Sequence, residues 1–335
     1  MDVVSRVVVV ILCAIFLLLS PDFSASQVLL GSQGRFYPVM SESRNFERVP
    51  RYNWFIGLRK YFSSFTSYQF PNPFPPNQDP LSRLEFPIDQ WFVGIETTYK
   101  APHWSLGCKG WVNLSRESPL KMQDSDWDDE NRPFQKTIFS ESNCRLNRGI
   151  MIDLNVALLN PLSPRSDLKP IVGYRYQHFF FTTHDGQQVD GSGAQMELKG
   201  DGIDFKQTFF HAYVGAVLDT DLRLGAVSRA LGRLRLIVQA DYAVIDAINE
   251  DLHLLRQGER ITTENTFGHC WHVGLTGGFL LSESIRINIE GDFKRTITHG
   301  NHELSNRMFD IFLSFDGSRV WSDQLYVAAM AEFPF

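Results

Sequence analysis

Between Ile285 and Lys294 apolar and polar positions alternate without a break: Ile285, Ile287, Ile289, Gly291 and Phe293 against Arg286, Asn288, Glu290, Asp292 and Lys294. Successive side chains of a strand point to opposite faces, so one face here is apolar and the other is charged or amide throughout. A soluble sandwich strand can alternate too, but so polar a face suits the wet interior of a barrel whose outside meets lipid. Leu234, Leu236, Val238, Ala240, Tyr242 and Val244 against Arg235, Gln239 and Asp241 repeat the pattern, as do Ile152, Leu154, Val156 and Leu158 against Asp153 and Asn155. Ten such stretches follow one another, at approximately 52–70, 83–100, 102–116, 148–160, 167–183, 204–220, 232–250, 259–281, 284–299 and 318–335. They predict an all-β fold, a ten-stranded antiparallel transmembrane β-barrel of the outer-membrane type, because an even strand number closes such a barrel with both termini on one side.

The connections support this reading. Long polar loops follow the odd strands, at 71–82, 117–147, 184–203, 251–258 and 300–317. Tight links follow the even ones, at Ala101-Pro102, Pro161 to Ser166 and Ser282-Glu283, with Asp221 to Leu231 as the long exception. In outer-membrane barrels the long loops face the exterior.

The beginning of the chain sets the compartment. Arg6 precedes an apolar run from Val7 to Leu19, and Ser24, Ala25 and Ser26 are small, which fits a secretory signal peptide over 1–26 and a mature barrel over 27–335. The run is shorter than the roughly 20 residues a spanning helix needs. The expected location is the outer membrane of a Gram-negative bacterium. The terminal Phe335, on a last strand with Leu325, Val327, Ala329 and Ala331 in alternation, resembles the assembly signal of outer-membrane proteins. A net charge of −6 leaves no electrostatic case for nucleic acid as a partner. Three cysteines remain after the leader, Cys108, Cys144 and Cys270, an odd count that argues against a scaffold built from disulfides but allows one bridge.

Two short pairs carry the chemistry. Asp124-Ser-Asp126, followed by Trp127, and Asp251-Leu-His253 each have i, i+2 spacing, which puts both side chains on one face of a strand. A carboxylate beside an imidazole makes a general base, and a second carboxylate pair can hold the water it activates. Continuing the inward parity of Arg235, Gln239 and Asp241 places Asn249, Asp251 and His253 inside the barrel mouth. Asp124 and Asp126 fall in the loop after the third strand, so their facing is not deducible. The blander readings are weighed beside this one. Acidic loop residues are usually just solvated. A calcium loop beginning at Asp124 fails because Asp129 stands where Gly is needed and Gln135 where Glu is needed. His269, Cys270 and His272 do not share a face, and no metal is expected.

Further residues connect these pairs to a known family. Ser82-Arg83-Leu84-Glu85-Phe86, Gly107-Cys108-Lys109-Gly110-Trp111, Met122-Gln123-Asp124-Ser125-Asp126-Trp127, Gly173-Tyr174 and Asn249-Glu250-Asp251-Leu252-His253 resemble the omptin outer-membrane proteases, over about Leu84 to Phe335. The resemblance implies an aspartic-type endopeptidase whose cleft opens to the exterior, with Asp124, Asp126, Asp251 and His253 catalytic and Met122 and Asn249 in the substrate cleft. It implies no cofactor beyond lipopolysaccharide or another glycolipid, and a monomer acting on cell-surface peptides or proteins amid outer-membrane lipid. Departures accompany it. Asn249 replaces an acid that family members use to hold basic substrate residues, and no acid lies between Arg59 and Phe70 to supply the second. Of the lipid-binding positions, which correspond to Tyr174, Tyr176, His178 and Thr208, only Tyr174 keeps the family residue.

Two function classes follow. One is an active surface endopeptidase, favoured by retention of all four catalytic positions. The other is a catalytically inactive barrel of the same fold, serving as an adhesin or structural protein and favoured by drift at the specificity and lipid positions. A porin fits less well, because side chains fill most of the lumen of so small a barrel.

Overall fold

The computed structural model describes residues 52–75, 77–159, 168–223, 233–258, 260–282 and 285–334. The leader over 1–26 and the links at Pro161 to Ser166 and Ser282-Glu283 lie outside the described residues, wholly or in part.

Twelve strands form one antiparallel sheet: β1 Tyr52–Phe70, β2 Ser82–Pro87, β3 Trp91–Lys100, β4 Trp104–Asn113, β5 Met122–Asp126, β6 Ile138–Leu158, β7 Leu168–Asp190, β8 Gln195–Arg223, β9 Arg233–His253, β10 Arg260–Ser282, β11 Ile285–Asn306 and β12 Ile311–Pro334. The wall is nevertheless a ring of ten. β2 and β3 share the β1 edge as two pieces of one interrupted strand, and β4 and β5 likewise share the β6 edge. β12 pairs with β1 from Asn53↔Pro334 to Gln69↔Arg319 and closes the ring. The ten-stranded barrel read from the alternation is therefore the observed fold.

The β2–β3 interruption has a visible cause. Pro87 cannot donate to a ladder, and the Asp89 carboxylate beyond it accepts from Ser63 N and Ser64 N at 2.9 and 2.8 Å. That bond pair pins a bulge in β1 between Phe62 and Phe65, with Ser63 at φ 46°. Below the bulge β1 pairs with β3 and above it with β2.

Two zones divide the barrel along its axis. In the lower zone Trp54, Ile56, Leu58, Ile95, Leu106, Val214, Val273, Leu275, Ile289 and Val327 are exposed on the outer face. Arg59, Glu96, Arg175, Asp241, His272, Glu290, Asp292 and Lys294 are buried inside it. An outward apolar band around a polar interior is the arrangement lipid requires, since every backbone group is satisfied between strands. Several of the interior ions are paired: Arg175 to Asp153 at 2.7 Å, and His272 to both Asp241 and Asp292 at 2.5 Å. A cavity of about 210 Å³ lies among them, lined in part by Arg59, Glu96, Lys109 and Arg175. Cys270 and His272 face inward, whereas His269 faces out and stacks on Tyr242.

The upper zone departs from the expectation. β6 begins at Ile138 rather than 148, β7 runs to Asp190, β8 begins at Gln195 and β11 runs to Asn306. Much of the sequence read as long loops is therefore strand. The segment 117–147 includes β5 and the first turns of the β6 ladder. Above the lipid band the outer face meets water, so no apolar row is needed and the alternation that reveals a strand fades. Between the zones lies an aromatic layer. Phe86 stacks on Phe205 at 4.1 Å, Tyr68 on Phe205 at 5.4 Å, and Phe181 and Phe209 are buried beside them. It floors the upper mouth.

Candidate active site

Asp124 and Asp126 are on β5, not on a loop. Leu84↔Asp124 and Ser82↔Asp126 in the β2 ladder, with Asp124↔Ser140 in the β6 ladder, fix both backbones at the upper end. Asp251 and His253 end β9, where Asp251 lies between Phe205 on β8 and Thr262 on β10. Around the ring β9 and β5 are four strands apart in one direction and six in the other. The two pairs therefore stand on opposite walls of the same mouth and face each other.

Asp251 is fully buried, and its Oδ1 lies 3.4 Å from His253 Nε2. Its Oδ2 accepts from the Tyr68 hydroxyl, which reaches across from β1. With Nε2 turned to the carboxylate, His253 Nδ1 has no hydrogen-bond partner among the described residues and can take a proton. Burial pushes the imidazole below its ordinary range; Asp251 opposes this, and Arg260 and Arg256 add to it. His253 is accordingly neutral, and basic, at neutral pH.

The acidic pair has the opposite tendency. Burial pushes Asp124 well above the usual carboxylate range, and the negative charges of Asp126 and then Asp251 push it further. Asp126 is also raised by burial, against the Ser82 hydroxyl and the charges of Arg256 and Arg260. Two neighbouring carboxyls raised in this way resist ionising together. Asp124 Oδ1 and Asp251 Oδ1 are both buried acceptors without a hydrogen-bond partner among the described residues. Buried polar atoms of this kind are satisfied by water or by substrate.

The residues nearest the pairs differ from what the sequence suggested. Met122 is on the same face as Asp124 but is 1% exposed, part of the apolar floor rather than an open cleft wall. Asn249 is fully buried one inward position below Asp251. Opposite it in the ladder stands Glu264, also fully buried, whose Oε1 lies 2.8 Å from His302 Nδ1. Burial and the nearby Asp251 hold the Glu264 carboxyl well above its ordinary range, while burial lowers His302 to about 4. The His302 imidazole is therefore neutral at pH 7. Sequence reasoning missed Tyr68, Glu264 and His302, because their partners are 183 and 38 positions away. Only the inward parity of Glu264 could have signalled its place.

Tyr174, Tyr176 and His178 occupy the outer face of β7, and His178 Nδ1 lies 3.0 Å from Thr208 Oγ1. The three cysteines are free thiols: Cys144 and Cys270 are buried and Cys108 is half-buried.

Comparison with known proteins agrees with this architecture. A model of the Omptin family matches residues 76–305. The crystal structure of the outer-membrane protease OmpT from Escherichia coli superposes with a TM-score of 0.73 at 19% identity, over 85% of this chain and 96% of that one. The translocator domain of the autotransporter NalP from Neisseria meningitidis gives 0.33 at 9% identity, over 84% and 88% of the two chains. The toluene transporter TbuX from Ralstonia pickettii gives 0.31 at 10% identity, over 85% and 90%. No curated protein matches by sequence. With the family match spanning most of the barrel and the ring of ten strands observed, the chain belongs to the Omptin family of outer-membrane proteases.

Proposed function

We propose that this barrel is an endopeptidase that cleaves exposed peptides with a water molecule held between the Asp124–Asp126 pair and His253, its mouth facing the cell exterior. One observation carries the reading: the two acids and the Asp251–His253 pair stand on opposite walls of one rim, and Asp124 and Asp251 each keep a buried carboxylate oxygen without a partner among the described residues. Asp251, fixed by Tyr68, orients the imidazole and stabilises its protonated form. Neutral His253 takes a proton from water as the oxygen adds to the peptide carbonyl. The imidazolium then returns the proton to the departing amine, leaving a carboxylic acid and an amine. Asp124 and Asp126, sharing one proton, orient the water.

The protein groups form no covalent bond to substrate in this sequence, which makes the enzyme aspartic-type with histidine as base. Peptides at the cell surface are the substrates. The barrel acts as a monomer, with membrane glycolipid as surroundings rather than reactant.

The test is hydrolysis of a peptide library by the refolded barrel, with and without a chelator. Expected are cleavage that survives the chelator and a loss of about 10²–10⁴-fold in His253→Ala, the usual range for a general base. Cleavage unchanged in that variant would remove the mechanism. A folded wild-type barrel that cleaves nothing would favour the adhesin reading.

A further inference from the structure

Arg260 opens β10 directly across the ladder from His253. It shares the inward face of buried Thr262 and Glu264, so its side chain enters the mouth from the imidazole wall. Its Nε is buried and has no hydrogen-bond partner, and no ion pair ties its guanidinium to a carboxylate among the described residues. A guanidinium stays charged and offers five donors in a rigid fork, and a buried donor without a partner is costly. The charge is nonetheless felt across the site, at Asp124, Asp126, His253 and His302.

The reaction proposed above has one unmet requirement. When water adds, the electrons of the carbonyl double bond move onto oxygen, and an oxyanion forms in a mouth that already contains Asp124, Asp126 and Asp251. None of those groups can stabilise it except a protonated carboxyl. Donors aimed at where negative charge develops are commonly the largest single contribution to such catalysis.

We propose that Arg260 is a further catalytic residue, whose free guanidinium N–H groups bind the scissile carbonyl oxygen and stabilise the oxyanion as it forms. Collapse of that intermediate returns the electron pair to the carbonyl, breaks the C–N bond and leaves the amine to take its proton from His253. Arg256, on the exposed turn after β9, adds charge but is too open to water to replace it. The inference rests on the peptidase reading, and its own failure is distinguishable from the failure of that reading.

The experiment compares Arg260→Ala, Arg260→Lys and wild type, all confirmed as folded barrels by heat-dependent migration in gels. Expected for Arg260→Ala is a kcat reduced about 10²–10³-fold with KM within threefold. Arg260→Lys, which keeps the charge but not the fork, should fall between the two. Free guanidinium ion should restore part of the kcat of Arg260→Ala. A structural role would not produce rescue. Nor would it move the acid limb of kcat/KM, which should shift upward once Arg260 no longer opposes protonation of His253, leaving Asp251, Asp126 and Arg256 around it. Arg260→Ala with kcat within threefold of wild type overturns the proposal. So does a loss confined to KM, which would make Arg260 a ground-state contact only. A wild-type barrel without activity overturns the peptidase reading, and this inference with it.

Discussion

Replacing Tyr68 with Phe separates the orientation of the Asp251–His253 pair from the packing beneath it. The Tyr68 ring is fully buried, stacked on Phe205 at 5.4 Å and on Phe70 at 6.4 Å. A Phe ring keeps those contacts, so Tyr68→Phe removes one hydroxyl and little else. That hydroxyl is the hydrogen-bond donor to Asp251 Oδ2, and Oδ1 has only the 3.4 Å approach of His253. A hydrogen bond to a charged group contributes about 1.5–3 kcal/mol. If Asp251 needs it to stay aimed at the imidazole, kcat/KM should fall roughly 10- to 150-fold at about 1.4 kcal/mol per decade. The assay is steady-state cleavage of an internally quenched peptide. Asp251→Asn and the double variant complete a cycle: with Asp251 gone, Tyr68→Phe should cost less than about twofold, because the two act through one contact. Activity of Tyr68→Phe within twofold of wild type would refute the orienting role. Additive losses in the double variant would show that the hydroxyl acts elsewhere, and the reasoning would fail on that count too.

The remaining expectations concern pH and substrate choice. Because burial lowers the affinity of His253 for a proton, and the neutral imidazole is the base, activity should be present above a midpoint lying below 6.5 and lost as pH falls through it; a pH profile of kcat/KM with a midpoint at or above 6.5 contradicts this. A second, alkaline limb should appear where the raised Asp124 finally ionises and the acidic pair loses its shared proton; Asp124→Asn, which cannot ionise, should lose that limb along with much of its rate. Asn249→Asp adds an acid beside Glu264 beneath Asp251. Profiling of the residue before the cut should then shift at least tenfold toward Lys and Arg, and an unchanged profile would show that Asn249 does not contact that residue.

The transmembrane wall could be read from residue order alone. Ile285 to Lys294 or Leu234 to Val244 must hide one face from lipid and the other from water, and a period of two records that requirement directly. The same parity correctly turned Asp251 and His253 inward. It failed for Asp124 and Asp126, and for the early half of β6, where water lies on both sides and no pattern is imposed. Their strand character comes from ladders with β2 and β6 that exist only once the ring has closed. Tyr68, Glu264 and Arg260 were invisible as site residues for a related reason. A phenol on β1 meets a carboxylate on β9, and an arginine on β10 comes within reach of the charge of Asp126 on β5, through closure of the cylinder rather than through proximity along the chain. Local periodicity reports which medium each face must tolerate; which side chains share a mouth depends on strand register and curvature, which are properties of the assembled ring.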